Sequence, residues 1–226
     1  MTLVAGADVA KGRWVVVVLR DGDFEHATIT KTLADFLEET QGLQVLAVDI
    51  PIGLPEGKEH RQCDLAAKAF LRPKSSSVFF TPPRPVINKP THAEANKLSK
   101  REFGRGISQQ AYALRTKILE VDPIAADDDR IIEVHPEVCF RAMKGSPLPY
   151  SKKTWNGQME RRSLLSSEGI DLPHPIKTEA GAAPVDDLLD AAAAAWSAWR
   201  VAQGDARVLP EVAEGCDRTR REVIWY

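Results

Sequence analysis

Short apolar runs alternate with polar turns through the first fifty residues, and this pattern predicts the start of an α/β fold. Residues 3–7 are apolar, and residues 14–19, with the sequence WVVVVL, are rich in the β-branched side chains typical of strands. The Asp-Gly pair at 21–22 tolerates positive φ angles and predicts a hairpin turn into a third strand at 24–29. The apolar run at 45–49 lacks polar alternation, which indicates a central parallel strand.

A helix is predicted between the third and fourth of these strands. Thr32 is a residue type that caps helices, and Asp35 follows three positions later. Leu33 and Phe36 give the helix an apolar face, and Gly42 is expected to end it. The predicted order is therefore strand, strand, strand, helix, strand.

The remaining sequence predicts further helices and two more strands within a single domain, 1–226. Helices are predicted at 61–71, 94–121 and 186–202, with one or two more within 137–170, and strands at 130–134 and in the C-terminal sequence REVIWY. Residues 52–128 are rich in proline and positive charge, and we interpret them as a basic helical and loop insertion.

Carboxylates stand next to several of the apolar runs, where burial is costly unless each one is paired or binds a metal. Asp8 follows the first apolar run, Asp49 ends the fourth, and Glu133 follows two isoleucines. Asp187 and Asp190 open an alanine-rich stretch, and their spacing of three places both on one face of a helix. These five residues are the candidate catalytic residues.

Each carboxylate also has a structural interpretation. Asp8 and Asp49 suit strand-end turns, and Asp187 suits a first helical turn, where a carboxylate interacts favourably with the helix dipole. Glu133 is equally a ligand or a buried ion-pair partner, and nearby His135 is expected to support the site. Asp190 lies further into its helix, which favours a shared site.

The predicted order of elements resembles that of ribonuclease H-like folds. In that fold the ends of the first and fourth strands are neighbours, and a late helix begins at the same edge of a mixed sheet. Asp8, Asp49, Asp187 and Asp190 are therefore predicted to bind Mg²⁺ or Mn²⁺. Two such ions about 3.5–4 Å apart would activate a water and stabilise the leaving oxygen of a phosphodiester.

The chain also resembles the DUF429 family over nearly its whole length. The pieces that carry the resemblance are GADVAKGRW, DIPIGLP, RQCDLAAKAFL, SSSVFFTPPR, EVHPE, SKKTWNGQMERR and DDLLDAAAAA. The resemblance implies a ribonuclease H-like fold and nuclease activity. The first motif departs from the common Gly-x-Asp-Gly start, because Val9 and Ala10 follow Asp8. The pattern at 187–191 is similar to the last motif of RuvC-type resolvases.

The charge distribution indicates a phosphate-binding middle segment. Residues 1–57 and 163–226 each carry a net charge of −5, whereas residues 58–162 carry +8. A basic segment over an acidic metal site suits a nucleic acid or nucleotide phosphate, and surface lysines are the alternative explanation. The candidate phosphate contacts are Arg61, Arg84, Lys152, Lys153 and Arg161. Trp155 is expected either to stack a base or to pack internally.

Other features restrict the alternatives. The sequence has no apolar run long enough for a membrane span and no signal-peptide pattern, so a cytoplasmic protein is expected. A nuclease is preferred over a non-catalytic nucleotide- or nucleic-acid-binding module. An actin-like phosphotransferase is least favoured, because that class normally needs two copies of the fold. Trp196, Trp199 and Trp225 suggest a homodimer surface.

Overall fold

The computed structural model describes residues 1–211 and 222–226, which form an α/β fold with a mixed five-stranded sheet. The strands are β1 Leu3–Ala10, β2 Arg13–Arg20, β3 Asp23–Thr30, β4 Leu43–Val48, β5 Ile131–Glu133, β6 Val208–Leu209 and β7 Ile224–Trp225. The helices are α1 Leu33–Glu39, α2 Gln62–Phe70, α3 Arg84–Ile87, α4 His92–Phe103, α5 Gln109–Ala113, α6 Arg115–Asp127, α7 Pro136–Lys144, α8 Trp155–Ser167 and α9 Val185–Gln203. Two 3₁₀ turns lie at Ser75–Ser77 and Glu179–Ala182.

The main sheet has the strand order β3-β2-β1-β4-β5. β1, β2 and β3 form an antiparallel meander, whereas β4 runs parallel to both β1 and β5. The predicted hairpin turn is present, with Asp21 at φ 51° and Gly22 at φ 93°. Thr32 caps α1 by accepting a hydrogen bond from the Asp35 amide, as its sequence predicts.

The first strand is longer than predicted. It pairs with β2 through Ala10, whereas its parallel ladder with β4 stops at Ala7 opposite Val48. Asp8 therefore does not end the strand. It lies within β1, opposite Val15, at the first position beyond the parallel ladder.

Helix α9 packs unusually close to β1, which explains the five-alanine run. A Cβ atom built on Gly6 would lie 2.0 Å from the Ala195 amide nitrogen and 2.3 Å from the Ala191 carbonyl oxygen. Only a strand residue without a side chain permits this approach, and alanines keep the helix surface flat. The close packing fixes the position of α9 over the sheet.

The single helix predicted at 94–121 is wrong, because the chain there forms three helices. α4 ends at Gly104, which adopts the left-handed conformation at φ 71°. Ser108 then caps α5 by accepting a hydrogen bond from the Ala111 amide, and α6 begins at Arg115. The apolar periodicity continues across these breaks and hides them.

The C-terminal sequence contributes the predicted strand, but in a separate two-stranded sheet. β7 pairs antiparallel with β6, and a parallel bridge joins Trp225 to Val134 just beyond β5. Trp225 and Trp196 are both buried within the chain. They therefore offer no exposed dimer surface, and the homodimer stays a prediction. Arg221 of the REVIWY sequence lies outside the described residues.

None of the helices in the described part of the chain combines the length and the apolar character needed to cross a membrane.

Candidate functional site

Three of the predicted carboxylates meet at the edge of the sheet beneath α9. Asp8 lies within β1 just beyond its parallel ladder with β4, Asp49 directly follows β4, and the Asp49 amide donates a 3.1 Å hydrogen bond to the Ala7 carbonyl. Side chains alternate along a strand, so Asp8 shares the face of Val4, which packs against the α9 alanines. Asp190, only 1% exposed, lies on α9 above this face.

Burial and mutual repulsion disfavour the charged form of all three carboxylates. Burial raises the pKa of Asp49 and that of Asp190 to about 7, and the charge of Glu137 contributes to both shifts. Burial also raises the pKa of Asp8 well above its ordinary value, and Asp49 and Asp190 raise it further. The cluster is therefore costly to keep ionised without a neighbouring cation.

Lys152 supplies a positive charge to this cluster. Its Nζ atom donates a 2.5 Å hydrogen bond to Oδ2 of Asp190. Burial alone would lower the pKa of Lys152, but Asp190, Asp49 and Asp8 together outweigh burial and raise it. The ammonium group consequently stays charged and partly neutralises the three carboxylates.

Asp49 and Asp190 of the cluster face a cleft with a volume of about 530 Å³, whereas Asp8 does not line it. Asp49, Asp190 and Glu137 line it together with the ammonium-bearing residues Lys74 and Lys152. The cleft therefore places cations beside carboxylates, an arrangement that suits a ligand with both a metal and a phosphate.

The donor types of this cluster suit a divalent metal ion, although in the described part of the chain only Cys63, Asp64 and Glu133 bring three ligand atoms within 4.8 Å of one another. Oδ1 of Asp190 is buried and has no hydrogen-bond partner within the described part of the chain. Over the same residues, 1–211 and 222–226, the Asp49 carboxylate accepts no hydrogen bond. A buried carboxylate oxygen without a donor, such as Oδ1 of Asp190, is rare, whereas Asp49 is only partly buried. Carboxylate oxygens are the hard donors that Mg²⁺ and Mn²⁺ prefer.

A profile of the family described as "Protein of unknown function (DUF429)" matches residues 6–215. The chain belongs to this family. No curated protein and no solved structure matches the chain. The DUF429 match spans the three clustered carboxylates, Lys152 and the lining of the cleft except Ile224.

Glu137 is a fourth carboxylate at this DUF429 site, and the sequence interpretation did not select it. It lies in the first turn of α7 and lines the cleft, where Arg161 donates a 2.6 Å hydrogen bond to its Oε1 atom. The signal was the His-Pro-Glu sequence directly after β5. Proline suits the first turn of a helix, so a helix beginning there places Glu137 at the carboxyl edge of the sheet.

Glu133 lies on the opposite face of the sheet from Asp49. It pairs with Val48, the residue before Asp49, and adjacent strand residues face opposite sides. Both Glu133 oxygens accept 2.7 Å hydrogen bonds from Arg61, and Oε2 also accepts one from the Ile52 amide. Of the two interpretations of Glu133, the structure therefore supports the buried ion pair rather than the catalytic role.

The prediction that Arg61 contacts phosphate is wrong. Its guanidinium makes five hydrogen bonds, to Asp64, Glu133 and the Ile52 carbonyl, and is buried. Arg61 therefore has no donor left for a ligand. Cys63, Asp64 and Glu133 offer ligand atoms within 4.8 Å of one another and so have a spacing that could hold a metal ion. Arg61 already neutralises both of these carboxylates.

Two other predicted phosphate contacts are engaged in internal ion pairs. Arg84 bonds Glu56 at 2.7 Å and Asp122 at 2.5 Å, and it does not line the cleft. Arg161 is buried and supports Glu137, but it also lines the cleft, and its buried Nε atom has no hydrogen-bond partner within the described residues. The phosphate contacts predicted for Arg84 and Arg161 therefore stay predictions.

Lys153 and Asp187 lie at the margin of the site. Lys153 pairs with the buried carboxylate of Asp186. Asp187 is half-buried and does not line the cleft. Burial and the charge of Asp186 raise the pKa of Asp187, while Lys152 and Lys153 oppose the shift. Asp187 is near the cluster but is not joined to it by a hydrogen bond in the part of the chain described.

His135 lines the cleft beside the carboxylates. Burial lowers its pKa, so the ring is neutral near pH 7. Its Nε2 atom contacts the Ser77 carbonyl at 3.4 Å, and its buried Nδ1 atom has no partner within the described residues. His135 therefore has one ring nitrogen free for a ligand or a water.

Proposed function

We propose that this DUF429 protein is a nuclease that uses Mg²⁺ or Mn²⁺ to hydrolyse phosphodiester bonds. The observation that carries the proposal is the unpartnered, buried Oδ1 of Asp190. The charge of Asp190 raises the pKa of Asp8, and the charge of Asp49 raises that of Asp190. A buried carboxylate oxygen costs about 1–3 kcal/mol or more when it is left without a partner. A metal ion would remove that cost.

We further propose that the fold is ribonuclease H-like. Its support is the antiparallel β1–β3 meander, the parallel pairing of β4 with β1, and the late helix α9 packed over β1. This arrangement brings carboxylates from β1, the end of β4 and α9 to one sheet edge.

The proposed ligands are Asp8, Asp49 and Asp190, with Asp187 supporting them from the margin. Glu137 joins this set from α7, because its charge acts on both Asp49 and Asp190. A bound Mg²⁺ or Mn²⁺ would supply Lewis-acid activation of water and of a phosphoryl oxygen. Arg161 holds Glu137 in place through its 2.6 Å hydrogen bond.

Lys152 and His135 are proposed to act on the substrate. Lys152 lines the cleft, and once Asp190 has another cation its ammonium group is free to donate to a phosphoryl oxygen. The neutral ring of His135 has Nδ1 available to hydrogen bond the attacking water. Both residues therefore complement the carboxylates.

Cleavage of single- and double-stranded DNA and RNA in the presence of Mn²⁺ tests this function. Asp8→Asn removes one proposed ligand with little change in shape, so we expect it to lower the cleavage rate about a hundredfold or more. The exposed Asp35→Asn is the matched control and should retain the wild-type rate. Full activity of a folded Asp8→Asn variant would contradict the proposal.

The second candidate is a non-catalytic module that binds a nucleotide or a nucleic acid. The observation that favours it is the Lys152–Asp190 ion pair, which already places a cation within the cluster. In this case the wild-type protein would bind phosphate ligands without divalent metal and would cleave none of them.

A further inference from the structure

Two large aromatic side chains are exposed beside the cleft. Trp155 is 72% exposed and Tyr150 is 48% exposed, and Tyr150 also lines the cleft. Both belong to the 150–155 turn, which precedes and begins α8. The exposure of Trp155 excludes the internal packing that was one of its two sequence interpretations. Exposed aromatic surface of this size is characteristic of binding sites.

The 150–155 turn is held rigidly. Thr154 caps α8 by accepting a hydrogen bond from the Gly157 amide, and its hydroxyl donates to the Ser151 carbonyl at 2.8 Å. A Cβ atom on Gly157 would lie 1.9 Å from that same carbonyl oxygen, so the turn packs directly on the helix. Arg161 also donates to the Gly157 carbonyl at 2.9 Å. The aromatic side chains therefore project from a preorganised backbone.

Two lysines belong to the 150–155 turn, and a third bonds the residue before it. Lys152 lines the cleft, and the side chain of Lys153 is 69% exposed, so its pairing with Asp186 is a weak surface contact. Lys74 also lines the cleft, and its Nζ atom donates a 2.8 Å hydrogen bond to the Pro149 carbonyl. The turn thus combines flat apolar rings with positive charges.

We infer that the 150–155 turn binds single-stranded nucleic acid and leads it into the cleft. Bases stack on Trp155 and Tyr150, while Lys74 and Lys153 contact the phosphates. Stacking requires unpaired bases, because in a duplex the base faces are already covered. A cleft of about 530 Å³ also has the size of a single small ligand, which suits one nucleotide rather than a duplex. This inference rests on the proposed function, which makes a nucleic acid the ligand of the site. It adds that the bound strand is single.

Fluorescence anisotropy with a labelled oligothymidine of about twelve nucleotides tests the inference in EDTA, where metal-dependent cleavage cannot occur. We expect the wild-type protein to bind it about tenfold more tightly than a duplex of equal length. Trp155→Ala and Tyr150→Ala should each weaken binding about tenfold, since stacking on one aromatic side chain has an effect of this order. Trp155→Phe should restore most of the affinity, because it keeps an aromatic ring.

Leu65→Ala is the matched control, because Leu65 is also a large exposed side chain, 42% exposed, but does not line the cleft. It should bind like the wild type. Equal or tighter duplex binding, or unchanged affinity in both aromatic variants, would overturn the inference. Strand binding without Mn²⁺-dependent cleavage would refute the nuclease proposal alone, whereas cleavage without a contribution from the aromatic residues would refute this inference alone.

Discussion

Lys152 and Asp190 form an ion pair in which one carboxylate oxygen remains without a partner. Asp8 and Asp49 add two further carboxylates to the same surroundings, so a single ammonium group faces three acidic groups. The balance between these charges determines the stability of the metal-free site and its affinity for a cation.

Replacing Lys152 by methionine should destabilise the metal-free protein, because it leaves the buried carboxylates without their cation. The Lys152 side chain is 34% exposed, so the loss should lie below the value of about 3–5 kcal/mol typical of a fully buried pair. Lys153→Met is the control and should lose less, since the Lys153 side chain is exposed and the first turn of α9 also stabilises Asp186. Urea unfolding in EDTA measures both. A Lys152→Met protein as stable as the wild type would contradict this account of the site.

At this scale the sequence predicts which carboxylates lie close together but not what each charge contacts. The ends of apolar runs and the helix periodicity predict that Asp8, Asp49 and Asp190 lie close together. Glu133 and Arg61 pair with each other across 72 positions of sequence, a contact that no local pattern reveals. Their interpretation therefore required the structure.

The contact between α9 and β1 is the packing feature that builds the site. Gly6 lies against the helix backbone at Ala191 and Ala195, so the height of α9 above the sheet is set by the missing side chain. Asp190 immediately precedes Ala191, and this contact therefore also sets its separation from Asp8. A small change in packing should move one proposed ligand relative to the others.

Gly6→Ala should lower the free energy of unfolding by about 1–3 kcal/mol or more, because its Cβ atom would overlap the helix backbone. It should also weaken Mn²⁺ binding, since α9 carries Asp190. Gly57→Ala is the matched control: its Cβ atom would meet nothing within 4 Å, and its stability should change by less than about 0.5 kcal/mol. Thermal unfolding and Mn²⁺ titration measure the two effects. Unchanged stability of Gly6→Ala would be incompatible with the packing described.

The elements with strong local signals were predicted, and those fixed by tertiary contacts were not. The residue types at Asp21–Gly22 and at Thr32 favour a hairpin turn and a helix cap, and the structure contains both. The three helices of 92–127 share one continuous apolar pattern, so their breaks at Gly104 and Ser108 were missed. The close approach of α9 was also missed, because a lone glycine in a strand has several possible causes.

For the whole molecule, the buried carboxylates make stability depend on pH. Burial raises the pKa of Asp49 and Asp190 from the ordinary 3.8 to about 7, so the folded chain holds protons more tightly than the unfolded chain. Their protonation stabilises the folded chain. This contribution is fully present below pH 3.8 and is lost as the pH rises through about 7.

The melting temperature in EDTA should therefore fall between pH 6.5 and about pH 8. Starting at pH 6.5 limits the contributions of His135 and His60, whose lowered pKa values destabilise the fold mainly at more acidic pH. An Asp49→Asn, Asp190→Asn double variant should show a flatter profile over the same range. A melting temperature that rises with pH in the wild type, or equal slopes in both proteins, would show that these carboxylates do not dominate the pH dependence of stability.

The most direct test of the central claim is Mn²⁺ binding measured by calorimetry, because it requires no knowledge of the substrate. The wild-type protein should bind Mn²⁺, and Asp8→Asn and Asp190→Asn should each weaken binding about tenfold or more, whereas the exposed Asp35→Asn should leave it unchanged. Absence of binding to the wild type, or equal binding by all the variants, would contradict the claim that these carboxylates form a metal site.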